Sequence, residues 1–243
     1  MKKFLTTLGA VALVLGAAGV AQAISLTDLI NGGSIQVNDK LFDGWQVLFE
    51  DTSDFHAVDT DNIEVSGLPS MALDPGPGLR FDILNNEFDV NGDDFFAYID
   101  FQFGFHVSVL DPLYKIKDNS LDDMNAFLGY SQDGLNDNGS YVLETIGTAP
   151  WLADLATEDL EYSLLDDVTT ADLSDSATFD PQSELWVTKN IFVWATDATD
   201  QAGLQGFSQH FSQVPIPEPS TWLLMGLGLV GMMGAGRKMA VRA

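Results

Sequence analysis

The sequence predicts a mainly β protein: an antiparallel β-sandwich, jelly-roll-like, with an apolar helix at each end. Three observations carry this. Two long segments, 95–109 and 185–195, alternate apolar and polar residues with a period of two, the signature of a strand with one buried face. Clusters of Asp, Asn, Gly, Pro and Ser, such as Asp74-Pro75-Gly76-Pro77-Gly78 and the run 133–140, separate many shorter apolar runs, as turns separate strands. Helical periodicity is scarce between the two apolar ends. Many short strands joined by turns favour two packed sheets.

The first 23 residues form a unit of their own. Met1-Lys2-Lys3 is a positive start, 4–20 is apolar apart from Thr6 and Thr7, and Ala21-Gln22-Ala23 places small residues at Ala21 and Ala23. Together these read as a secretory signal peptide cleaved after Ala23. Secretion machinery and signal peptidase are the expected partners of this segment.

The body, 24–213, opens with a short helical turn over 25–30 capped by Ser25. Strands are expected at 34–37, 45–49, 62–65, 79–84, 95–109, 141–145, 185–195 and 204–211. Within 95–109, Phe95, Ala97, Ile99, Phe101, Phe103, Phe105, Val107 and Val109 share the buried parity, and Gly104 marks a bend or bulge. In 185–195, Trp186, Thr188, Asn190, Phe192 and Trp194 face one way, and Leu185, Val187, Lys189, Ile191, Val193 and Ala195 the other. A helix is expected over 151–160.

Charge narrows the function. All 36 acidic residues lie between Ile24 and Pro219, against five of the 10 basic ones, giving that stretch a formal charge of −31. Such a surface repels phosphate backbones, so nucleic acid is excluded as a partner, while cations and basic partners are attracted. The absence of cysteine removes disulfides, thiolate metal sites and cysteine nucleophiles. The aromatic and branched residues are too frequent for a disordered acidic chain.

The C-terminal unit, 214–243, begins Val214-Pro215-Ile216-Pro217-Glu218-Pro219. Its alternating prolines predict an extended, exposed segment that neither helix nor sheet captures, which a processing enzyme can grip. Ser220 or Thr221 caps the apolar run that follows. From Thr221 to Gly236 a helix would be about 24 Å long, at the short end for a bilayer core of about 30 Å. Trp222 would sit at one interface, and Arg237 with Lys238 would stop the span on the cytoplasmic side.

Pro217-Glu218-Pro219, the apolar helix and the basic end closely resemble the PEP-CTERM sorting signal of Gram-negative bacteria. Similar tails are also labelled after ice-binding proteins that carry them. The resemblance implies secretion, recognition of Pro217, Glu218 and Pro219 by exosortase, a membrane enzyme, and at least transient membrane attachment. The expected location is the envelope, cell surface or extracellular matrix. Met239 to Ala243 trail past the first basic pair, where many such signals end in a basic cluster. A second resemblance covers the body. Some PEP-CTERM proteins open with a Leu-rich turn, Gly-Gly-Ser and an Asn-Asp-Lys-Leu-Phe stretch, here 26–30, 32–34 and 38–42. They close with a Phe-x-Gln-x-Phe segment, here Phe207-Ser208-Gln209-His210-Phe211 followed by Ser212-Gln213. It implies one continuous domain running up to the tail and no particular activity.

Candidate chemistry is sparse. His56, His106 and His210 are far apart in sequence, and no nucleophile elbow, phosphate loop or His-Glu-x-x-His motif is present. Abundant carboxylates leave a glycosidase pair open without selecting one. The sharpest metal reading is calcium at Asp89, Asn91, Asp93 and Asp100, an alternating oxygen-ligand pattern. Two departures favour an acidic turn instead: Asp94 occupies the position that wants Gly, and a strand follows where an EF-hand has a helix. Trp45, Trp151, Trp186 and Trp194 offer surfaces for sugars or serve the core. The reading is a non-catalytic surface or matrix protein needing no cofactor, with exopolysaccharide as a further expected partner. A calcium- or carbohydrate-binding module is the alternative, and a secreted hydrolase the third.

Overall fold

The computed structural model describes residues 23–53, 57–129 and 136–216. The predicted signal helix and transmembrane helix lie outside the described residues, as do Ala21, Pro217, Glu218, Pro219, Arg237, Lys238 and His56.

The chain enters through β1 (Ile24–Ser25) and a short helix α1 (Leu26–Ile30). Ser25 caps α1 by accepting a hydrogen bond from the Asp28 amide, as expected, and Leu26 and Leu29 seat the helix in the core. There follow β2 (Ile35–Val37), β3 (Lys40–Thr52), β4 (Ile63–Leu68), β5 (Gly78–Ile83), β6 (Asp89–Asn91), β7 (Ala97–Val109) and β8 (Tyr114–Gly129). The remaining strands are β9 (Asp137–Gly147), β10 (Ala156–Leu165), β11 (Val168–Asp172), β12 (Asp175–Gln182), β13 (Glu184–Ala195) and β14 (Gln201–Pro215).

These strands form two seven-stranded antiparallel sheets. The first runs β1-β4-β5-β14-β8-β12, with β6 also on β14; the second runs β11-β10-β9-β13-β7-β3-β2. From β6 onward the chain repeatedly changes sheet: β7 lies in the second, β8 in the first, β9 to β11 in the second, β12 in the first, β13 in the second and β14 in the first. Neighbours within a sheet are therefore mostly distant in sequence, the jelly-roll-like arrangement that the sequence predicts.

The inner faces meet over aromatic side chains. Phe101, Phe103, Phe105 and Val107 on β7 are fully buried. Trp45 stacks on Phe105 at 4.4 Å and Phe81 on Phe207 at 4.8 Å, while Phe42 approaches Phe211 at 5.7 Å. The two body segments noted for their likeness to other sorted proteins thus pack against each other. Lys40, completely buried, donates to Asp39 Oδ1 at 2.8 Å and contacts Gln213 Oε1, tying the start of β3 to the end of β14. Burial holds the Lys40 amine below its ordinary range.

Several expectations need correction. The segment 151–160 is not a helix: its second half begins β10, which pairs with β9 over the whole of 156–165. Its Ala and Leu content favours a helix locally, and cross-strand pairing with burial of Leu160 overrides that preference. β8 was not expected at all, being rich in Asp and Asn. Phe95 is 76% exposed and lies before β7, following Asp94 in the left-handed region at φ 69°. Gly104 sits in unbroken register with β13, and the bulges of this region fall on β3, between Asp43 and Gln46 and between Val47 and Phe49. Nor do the tail prolines end pairing at once. Val214 and Pro215 pair with Lys115 and Tyr114, and the Ile216 amide donates to the Leu113 carbonyl at 2.7 Å. A proline is tolerated at a strand terminus, where its missing N–H breaks no ladder.

Candidate functional site

The face of the second sheet that points away from the core is paved with aromatic and polar side chains. On β13 these are Trp186, Thr188, Asn190, Phe192 and Trp194, opposite His106, Gly104, Gln102, Asp100 and Tyr98 of β7 in that order. The alternation places them outside because Leu185, Val187, Ile191 and Val193 fill the core side of the same strand. From Trp186 to Trp194 the stripe is about 27 Å long.

Rings gather at both ends of the stripe. At one end Phe192 stacks on Trp194 at 5.4 Å, with Tyr98 and Phe96 each 6.2 Å from Phe192. At the other, Trp186 lies 4.9 Å from His106 and meets Trp151 edge-on at 5.7 Å. Glycines make the seats. A Cβ at Gly139 would lie 2.4 Å from Trp194, and one at Gly104 would lie 2.3 Å from Trp151. Trp151 reaches this seat from a left-handed backbone, φ 63°, an uncommon conformation for so bulky a residue.

Between the ring clusters lie polar groups with fixed partners. Asn190 donates to Asp100 Oδ1 at 2.6 Å and Tyr98 donates its hydroxyl to Asp51 Oδ2 at 2.8 Å. The bond to Asp51 keeps the Tyr98 phenol protonated above its ordinary range. His106 is bound to Asp43 Oδ1 at 2.9 Å, and Trp194 Nε1 donates to Asp137 Oδ1 at 2.9 Å. Such a surface offers flat rings to apolar C–H faces, with carboxylates and amides beside them for hydroxyl groups.

The residues singled out for metal are only partly brought together. Asp89, Asn91 and Asp93 line one pocket of 430 Å³ with Ser53, Phe95 and Tyr98. Burial raises the Asp89 carboxyl, and Asp93 Oδ1 accepts from the Phe95 amide at 3.0 Å. Asp100 is not among the walls of this pocket; it stands on the aromatic face, held by Asn190. Asp89 and Asn91 are part of strand β6, not of a loop wrapped around a cation. Among the described residues no group of three or more His, Asp or Glu is arranged to hold a metal ion. His106 is in the second sheet and His210 in the first, where its Nδ1 contacts the Gly76 carbonyl. Of the four tryptophans considered for sugar contact, Trp45 belongs to the core and the other three form this face. The tier of Tyr98 and Phe96 beside them was missed, although the alternation of 95–109 contains it.

The two ends of the body complete the geometry. Ala23 is exposed, and Ile24, which cleavage after Ala23 would make the N terminus, is the first residue of β1 and pairs with Val65. At the other end β14 holds its ladder to Pro215. A known protein-sorting sequence starts at that residue. Residues 215–238 match the PEP-CTERM protein-sorting motif. A PEP-CTERM motif implies processing by exosortase and an exported protein of the envelope or cell surface. Motif and body share Pro215, so the PEP-CTERM segment leaves the last core strand without an intervening linker. Among the described residues no helix is long and apolar enough to cross a membrane; the predicted span lies beyond them. No curated protein matches the chain. Two solved structures are distantly similar. TmCBM61 in complex with β-1,4-galactotriose is 10% identical, with 71% of this chain and 89% of that one covered and a TM-score of 0.24. The enzymatically active domain of tailspike protein 4 of bacteriophage CBA120 is 9% identical, with 71% and 19% covered and a TM-score of 0.23.

Proposed function

We propose that this chain is a non-catalytic surface protein, exported by its signal peptide, held by its C-terminal helix and released or attached when exosortase acts at Pro217-Glu218-Pro219. The observation that supports this is the abutment of body and sorting motif at Pro215. The folded domain spans the interval between the two processing signals, so both cuts would leave it whole. Intact mass of the protein from membrane, envelope and medium fractions tests the reading. Loss of both 1–23 and the tail beyond the Pro-Glu-Pro is expected. A mature species that keeps 222–243 in the membrane would overturn exosortase processing in favour of a permanent single-span anchor.

The outer aromatic face favours a second reading for the body itself, a carbohydrate-binding module that engages exopolysaccharide. Rings in partly buried tiers, separated by amides and carboxylates along about 27 Å, suit an extended glycan laid across β13 and β7. Titration with the host's own exopolysaccharide, native against Trp194→Ala and Trp186→Ala, tests it. At least a tenfold weakening is expected in each variant. Equal binding by all three proteins would sink the assignment of this face.

A further inference from the structure

The centre of the sandwich holds charge where a core normally holds hydrocarbon. Lys189 of β13, Glu144 of β9, Glu158 of β10, Asn119 of β8 and Gln209 of β14 are all completely buried. Lys189 is the register partner of Glu144, and Glu144 of Glu158. The Glu144 carboxylate grips three groups at once, Lys189 Nζ through Oε2 and, through Oε1, Asn119 Nδ2 and Gln209 Nε2, the last at 2.8 Å. Asn119 Nδ2 also donates to Glu158 Oε2 at 3.0 Å, and Asn119 Oδ1 accepts from Gln209 Nε2 at 2.9 Å. Phe81 and Phe207 close the site, their ring centroids 5.6 Å and 5.1 Å from Lys189 Nζ.

A buried ion pair is seldom a net source of stability, because desolvation offsets the attraction. Here Glu144 holds the amine while a second buried carboxyl, Glu158, is held by the Asn119 amide, which makes a purely structural purpose weaker still. The arrangement is instead that of a reaction centre: a nucleophile, a carbonyl carbon, an acid–base group touching both, and a donor on the carbonyl oxygen.

We infer that Lys189 and Asn119 condense with each other to an amide that staples β13 of one sheet to β8 of the other. Lys189 Nζ attacks Cγ of Asn119, and the carbonyl electron pair moves to Oδ1, where the Gln209 N–H receives the growing charge. Glu144 takes a proton from Nζ, Glu158 gives one to Nδ2, and the Cγ–Nδ2 bond breaks. The products are the Lys189–Asn119 amide and one ammonia; one carboxyl has gained a proton, the other has lost one, and nothing is oxidised or reduced. The surroundings favour each step. Burial lowers the affinity of Lys189 for its proton, the direction that favours the neutral amine the attack requires. Burial and the neighbouring Glu144 carboxylate push Glu158 up to about 9, so it keeps a proton to donate. Glu158 Oε1 is buried without a hydrogen-bond partner, which suits a protonated carboxyl better than a carboxylate. The chain has no cysteine, so this amide would supply the covalent cross-link that disulfides supply elsewhere in exported proteins.

The test is peptide mass spectrometry on the folded full-length chain, digested after denaturation. The expected result is a linked pair of peptides, one containing Lys189 and one containing Asn119, lighter than their sum by one ammonia. Lys189→Arg and Glu158→Gln should each lose that species. Separate peptides with unmodified Lys189 and Asn119 from the folded native protein would overturn the proposal. So would a Lys189–Glu144 link, recognisable by loss of water in place of ammonia. The native digest decides the matter even where a variant fails to fold.

Discussion

Each face of β13 departs at particular residues from the usual order of a sandwich strand. Its outer residues, Trp186, Phe192 and Trp194, are large rings only partly buried; its inner row includes Lys189, completely buried beside Phe81, Phe207 and the Glu144 carboxyl. Neither placement is the cheapest for folding. Burying an amine costs several kcal/mol of desolvation that only close partners offset. Exposed rings leave apolar surface in water that a monomer gains nothing by keeping. The two departures from the hydrophobic pattern on this one strand coincide with the proposed cross-link inside and the proposed glycan face outside.

The contrast is most easily broken from the inside. Lys189→Ala removes both the partner of the buried Glu144 carboxyl and the nitrogen of the proposed amide, and should destabilise the domain by about 3–5 kcal/mol in chemical denaturation. A cost no greater than that of a surface substitution would show that the inner row carries no special weight. Next comes pH. Glu158 has an ordinary value near 4.5 and stands at about 9 in the fold, so the folded state holds a proton that the unfolded state has lost between those limits. Its contribution is complete below pH 4.5 and is lost as pH rises toward about 9. The native protein should therefore unfold at lower denaturant at pH 8 than at pH 5, and Glu158→Gln should flatten that slope. Lys189, depressed by burial, would tilt the slope the other way only while its amine is unlinked, so the difference between the two slopes is the informative quantity. Identical slopes would mean that Glu158 is ionised in the fold. The smallest effect is expected outside. Trp194→Ala removes a partly buried ring and should cost about 1–2 kcal/mol, with its main consequence in glycan binding. Gly139→Ala sharpens the same point: it leaves every ring in the sequence but unseats Trp194, and near-ultraviolet circular dichroism should report the displacement.

Much of this was legible in the residues. The alternation of 95–109 and 185–195 gave the two central strands of the second sheet, and even the side of β13 on which Lys189 sits. Ser25 announced α1, and the Pro-Glu-Pro tail announced the sorting motif. β8 was not legible because its buried residues, Ile116, Asn119, Leu121 and Met124, are unevenly spaced: register shifts against β12 and β14 break the period of two. β10 was mistaken for a helix because local preference points that way and only pairing with β9 reverses it. The buried cluster escaped because its five members come from five strands, and no local pattern links Asn119 to Gln209.

By itself, then, the sequence determined what short-range physics governs: strand alternation, the helix cap, the charge of the body and the signals at its two ends. These depend on neighbours in the chain, and neighbours are what a sequence displays. Only the tertiary structure decided that Lys189 meets Glu144 and Asn119, that Gly139 and Gly104 make room for indole rings, and that Trp45 goes inside while Trp151 stays out. Those outcomes depend on which strands pair across the sheets, and pairing between residues tens of positions apart is set by the packing of the whole domain.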